Sequence, residues 1–211
     1  MSLTTYLQAH FLPKDVFAAF CNVSEERLSH LIEVGAVPEP TYTCKEGTIR
    51  SAVFGSIPIS ENLAGEYFRA ECARWARIAD HASPGGERAA VVAVLLQEME
   101  GYMAGVLGDA SAAREKAELL LPHFFNGTFG LCIADPSTGA GIARKELLQD
   151  QLVELVSDER TPLEARVDKQ ALLALIDDYA RASMPFSPAE YDRSSRKRLV
   201  DDLRRALCEK S

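Results

Sequence analysis

The chain has 211 residues, 47% of them hydrophobic, and its 23 basic and 31 acidic side chains give a net charge of −8. That length suits one domain with a small appendage, and the acidic balance excludes a general binder of phosphate backbones, whose affinity comes from Lys and Arg releasing counterions. Five cysteines, an odd number with no Cys-x-x-Cys pair, argue against a disulfide framework, and with no leader of secretory type a cytoplasmic protein is expected.

Residues 3–11 (LTTYLQAHF) and 13–21 (PKDVFAAFC) are expected to form two short helices, with Pro13 in the first turn, where its missing N–H does no harm. After a turn at Asn22-Val23-Ser24, Ser24 caps a third helix with Leu28, Leu31 and Ile32 on one face, and Gly35 ends it. Helix, short turn and helix give residues 13–37 a helix-turn-helix-like organisation. Residues 41–44 and 48–54 read as extended pieces, and 56–60 (SIPIS) as a linker. A DNA-reading helix needs Arg, Lys, Asn or Gln in its first turn. Here Glu25 and Glu26 stand there, and residues 1–60 hold four basic side chains against six acidic ones. Nucleic acid is therefore not an expected partner, and the unit reads as a structural or protein-contact module.

Ser60 is expected to cap a helix running through residue 82, with Leu63, Tyr67, Phe68, Trp75 and Ile78 near helical spacing. The stretch 89–106 (AAVVAVLLQEMEGYMAGV) is apolar on almost every side, so the chain's other helices are expected to surround it. Glu98 and Glu100 argue against a membrane span. Gly101 and Gly105, four apart, are expected to let a neighbouring helix approach. Asp109 or Ser111 should cap a helix halted by Pro122. Residues 129–134 suggest a short strand, and Thr138 a cap for a helix over 140–156. Two capping boxes with proline at the first helical position, Thr161-Pro162-Leu163-Glu164 and Ser187-Pro188-Ala189-Glu190, should open the last two helices. The fold class is mainly α: a helix-turn-helix-like unit over 1–58 and a helical bundle with a few short strands over 59–211, with a homodimer permitted by the apolar surplus.

The segment PKDVFAAFCNVSEERLSHLIEVGAVP resembles the first half of a MerR-type DNA-binding domain, with a Val-Ser turn into the second helix and Gly35-Ala36-Val37-Pro38 closing it. Together with NGTFGLCIADPSTGAGIARKE and PFSPAEYDRSSRKRLVDDL, it also resembles an uncharacterised bacterial family labelled natural product biosynthesis protein. That resemblance implies an association with biosynthetic genes. It brings no accepted reaction, cofactor or catalytic residues.

The four histidines are scattered, and Glu66 and Glu71 are followed three residues later by Arg69 and Arg74 where di-iron bundles place His, so no metal site is assigned. For nucleophilic catalysis the one grouping worth naming is Cys132 with His123 and Asp135 nearby in sequence. Its bland alternative is a small buried thiol and a turn carboxylate. Anion binding has two candidates. One is Thr138 at a helix start in Ser-Thr-Gly-Ala-Gly, which helix capping alone explains. The other is Ser195, Arg196 and Lys197 in the basic stretch DRSSRKRLVDDLRR, where Lys197–Asp201 and Arg198–Asp202 pairs would instead make a self-paired, solvated face. The expected function is a non-catalytic accessory or interaction protein that meets a protein or a small molecule. The alternatives are a DNA-binding regulator using residues 13–37 and a small-molecule-modifying enzyme using the Cys132 or Arg196 region.

Overall fold

The structure, a computed structural model, describes residues 2–157 and 167–209. Among these residues the protein is mainly α, with one antiparallel sheet. Helices α1 (Leu3–His10), α2 (Lys14–Cys21) and α3 (Glu25–Glu33) open the chain. Ser24 Oγ accepts the Arg27 N–H at 3.1 Å and caps α3, and Gly35 follows it with a φ of 64°. Arg27, the one Lys or Arg of α3, is committed inward: its guanidinium reaches Asp80 at 3.0 Å and Glu87 at 3.3 Å.

The sheet runs in the order β1-β5-β2-β3-β4, from β1 (Leu12–Pro13), β2 (Tyr42–Lys45), β3 (Thr48–Ser51), β4 (Gly55–Pro58) and β5 (Gly65–Phe68). Glu46 and Gly47, both at positive φ, form the two-residue turn from β2 to β3 that such a tight hairpin requires. Two expectations fail here. The supposed linker at 56–60 supplies part of β4, an edge strand that tolerates Pro58. The helix expected to start at Ser60 is instead irregular chain, then β5, a 3-10 turn and α4 (Ala73–Asp80). Its apolar residues lie close to helical spacing, yet Phe68 is spent on stacking with Phe17, at 4.8 Å between centroids, and Tyr42 pairs in register with Tyr67. Strand β5 thus returns past residue 58 to pair with β1 and β2.

Helices α5 (Glu87–Leu107), α6 (Ala110–Phe125), α7 (Thr128–Cys132), α8 (Gly139–Ser157) and α9 (Lys169–Ala182) form the larger layer. A π-helical turn (Lys197–Asp202) then runs into α10 (Leu203–Glu209). Asp109 caps α6, which passes through Pro122 and ends at Phe125, beyond the stop expected at that proline. The capping box at 161–164 lies outside the described residues.

The apolar stretch of α5 is less enclosed than its composition implies. Its buried apolar residues, Val91, Leu95, Met99 and Met103, form a single four-residue-spaced stripe against α4, α6 and α8. By length and composition it is the one described helix that could cross a membrane, and 22% of its apolar window is buried. Gly101 and Gly105 face open space. The close approach is made at Gly139, where a Cβ would lie 2.6 Å from Leu95 O and 2.9 Å from Met99 N, so the first turn of α8 rests on the backbone of α5.

Candidate functional site

A cavity of about 600 Å³ lies where the end of α6, α7, α8 and the C-terminal segment meet the tip of the β3–β4 hairpin. That volume falls in the range of pockets for small organic ligands. Phe129 and Leu131 of α7, Phe186 of the C-terminal segment, and Val53 and Phe54 of the hairpin give it apolar surface.

Two buried charges that line no part of the cavity hold its walls in place. Arg69, 4% exposed, follows β5 and donates to the carbonyls of Gly130, Ile133 and Ala134 at 3.4, 3.3 and 2.8 Å. A guanidinium at those carbonyls opposes the negative end of α7 and satisfies acceptors the short helix leaves open. Residues 129–134, expected as a strand, are therefore mostly the short helix α7, with Ile133 making a lone bridge to Ser183.

Glu190 fixes the opposite wall. The Ser187–Glu190 capping box does not open a regular helix, because Glu190 turns inward to 1% exposure. There it accepts hydrogen bonds from Tyr42 Oη at 2.6 Å, Ser51 Oγ at 2.7 Å and Ser187 Oγ at 2.7 Å. Burial pushes the Tyr42 hydroxyl well above the usual tyrosine range, with Tyr6 and Glu190 adding to it. Tyr6 Oη donates to Pro185 O at 2.8 Å, and its own ionisation is likewise pushed up, chiefly by burial. The C-terminal segment is thereby stapled to β2, β3 and α1.

A polar cluster forms the cavity floor. Lys145, 2% exposed, directs its ammonium at Glu146 Oε1 (2.8 Å), Gln149 Oε1 (2.8 Å) and Cys132 Sγ (3.7 Å), one partner for each of its three protons. Burial pulls this ammonium toward neutrality, but Cys132, Glu146 and Tyr179 outweigh it and leave Lys145 above the ordinary lysine range, hence charged. The Cys132 thiol moves up because it is buried, and Lys145 opposes that shift only in part. Tyr179 Oη lies 3.1 Å from Gln149 Oε1 and 2.9 Å from Ser195 Oγ. An amide oxygen only accepts, so Tyr179 gives its proton to Gln149 and accepts one from Ser195, which leaves the lone pairs of Ser195 as acceptors.

At the C-terminal wall are Arg193, whose guanidinium stands 5.0 Å from the Phe54 ring centroid, and Arg198 of the π-helical turn. Among the described residues neither guanidinium has an ion pair. The π turn changes the expected charge pairing. With an extra residue per turn, Lys197 meets Asp202, five positions on, at 2.9 Å, and Asp201 accepts from Tyr191 Oη. Arg198 loses its expected partner to Lys197.

Of the candidates read from the sequence, Cys132, His123 and Ser195 line this cavity, and Asp135, Thr138, Arg196 and Lys197 do not. Asp135 is exposed and accepts the Ser137 N–H at 3.0 Å, which makes it a turn residue. Thr138 Oγ1 accepts the Gly141 N–H at 3.0 Å, and the start of α8 already has its anion: Glu98 Oε2 accepts the Gly139 N–H at 2.8 Å while Arg74 binds the same carboxylate. Arg196 donates to Ala180 O and Ser183 O and closes the end of α9. Sequence reasoning passed over Lys145 and Glu190. Lys145 carried a visible signal, a cation three residues after Ile142 and seven before Leu152 in a buried stripe.

A mainly α chain with a small antiparallel sheet and a half-open cavity is the class that fold and site define. Residues 95–207, more than half of the chain, match a family of unknown function (DUF6058), and the chain belongs to that family. No curated protein and no solved structure is significantly similar to it.

Proposed function

We propose that this protein binds a small organic molecule in the cavity between α7, α8 and the C-terminal segment. The observation that carries the reading is a cavity of about 600 Å³ with an aromatic and aliphatic lining over a fixed polar floor. Binding is favoured over covalent catalysis because thiolate, not thiol, is the nucleophile, and burial holds Cys132 as the thiol. A non-catalytic accessory role fits that chemistry. A link to natural product biosynthesis rests on the sequence resemblance alone. Reading of DNA by α3 draws no comparable support, since Glu25 and Glu26 lead that helix and Arg27 is engaged by Asp80 and Glu87.

The test is titration with N-phenyl-1-naphthylamine, a neutral apolar dye whose fluorescence rises on leaving water. One saturable site is expected in the native protein. Ser195→Trp and Gln149→Trp, which fill the cavity from different walls, should each abolish it while the far-ultraviolet circular dichroism stays unchanged. No saturable binding, or binding unaffected in both folded variants, would end this reading.

A further inference from the structure

Resting on that reading, we infer that the ligand is a monoanion, an organic carboxylate with an apolar body. Some of the charges that line the cavity are already neutralised within the protein. Lys145 is balanced by Glu146 at 2.8 Å. Asp202 is balanced by Lys197 at 2.9 Å and also faces Arg205 at 3.8 Å. Arg193, Arg198 and Asp192 remain, and none of the three has an ion-pair partner among the described residues. Two guanidiniums against one carboxylate, all three on the exposed rim of the cavity, leave a surplus of one positive charge at its mouth, in a chain whose net charge is −8. One carboxylate matches that surplus, whereas a dianionic phosphate monoester would overshoot it.

Guanidinium also suits the partner. Its planar fork presents paired N–H donors that fit the two oxygens of a carboxylate, and it sheds water more readily than an ammonium. Arg193 is already positioned over the Phe54 ring, so less side-chain freedom is lost when it takes up a ligand. Arg198 stands on a π-helical turn, and such turns are frequent at functional sites because the extra residue redirects side chains. The rest of the cavity suits what an apolar carboxylate carries behind its head group. Phe129, Leu131 and Phe186 offer apolar contact, and the acceptor lone pairs of Ser195 leave room for one donor on the ligand.

The experiment displaces the bound dye from the full-length protein with matched pairs: octanoate against octanamide, and 3-phenylpropionate against 3-phenylpropanamide, with octylamine as the cation. Each carboxylate should compete at least about tenfold better than its amide, a gap of about 1.4 kcal/mol, as a charge-assisted bond implies, and octylamine should compete worst. Raising the salt from low to physiological should weaken the carboxylates and leave the amides unchanged. Arg193→Gln and Arg198→Gln should narrow the carboxylate-to-amide ratio, each pair of competitors being compared at the dye affinity measured for that variant. Equal competition by carboxylate and amide, or a preference that survives both substitutions, would overturn the charge assignment and leave the cavity reading standing. Failure of the dye to bind at all would overturn both.

Discussion

Two buried ionic groups, Lys145 in the cavity floor and Glu190 behind one of its walls, are built differently. The partners of Lys145 are close in sequence, one, four and 13 residues away, and face the cavity floor. Those of Glu190 include Tyr42 and Ser51, 148 and 139 residues away, in a seam with no outlet to the cavity. Glu146, beside Lys145, is 14% exposed and touches the cavity, whereas Glu190 is 1% exposed and lines no part of it. The contrast separates a group that tunes a pocket from one that holds the chain together.

The largest expected effect tests that contrast directly. Glu190→Ala strands three buried hydroxyls and should cost about 3–5 kcal/mol in urea denaturation. Lys145→Met, which keeps the side-chain volume and leaves Glu146 water from the cavity, should cost about 1–2 kcal/mol. Equal losses would erase the distinction.

A second test uses pH. Tyr6 and Tyr42 ionise above their unfolded value of about 10 because they are buried, so their contribution is complete below pH 10. As pH rises past that value the unfolded chain loses its protons first. Stability should then fall by up to about 1.4 kcal/mol per pH unit per tyrosine. Tyr42→Phe should flatten this alkaline slope, and an unchanged slope would mean that the seam is open to water.

A third test addresses the floor. In a Cys208→Ser background, which removes the exposed thiol, native-state alkylation of Cys132 should slow further in Lys145→Met. Losing the ammonium lifts an already raised thiol, and each unit of that rise is about a tenfold loss of thiolate. Faster alkylation would show that Lys145 acts as a plug and not as a charge. The smallest effect is expected for Ser195→Ala, about 0.5–1.5 kcal/mol, since it removes one partly buried hydrogen bond to Tyr179.

What the sequence disclosed follows the range of the forces involved. Local signals succeeded: Ser24 and Asp109 cap their helices, and Gly35 follows the end of α3. Signals that compete with distant partners misled. Ser187-Pro188-Ala189-Glu190 has the composition of a helix start, but a carboxylate offered two hydroxyls from elsewhere in the fold, those of Tyr42 and Ser51, turns inward. The Lys197–Asp201 spacing assumed 3.6 residues per turn, and the π turn moved the pair to Asp202. Cys132, His123 and Ser195, named by chemical type and place in the sequence, line the cavity. Asp135 fell out because nearness in sequence to Cys132 did not bring it to the cavity, and Thr138 because Glu98, 41 residues from Gly139, already fills the start of α8.

The stapling of the tail by the sheet also bears on how the molecule comes to be made. The chain emerges from the ribosome with Tyr6, Tyr42 and Ser51 in its first quarter, yet the groups they bind, Pro185 and Glu190, come 179, 148 and 139 residues later. Closing loops of that size is entropically slow, and until it happens the nascent protein carries unfinished edges prone to association. Refolding should therefore show a late phase in which the tail docks, and it is in that phase that the cavity acquires its last wall.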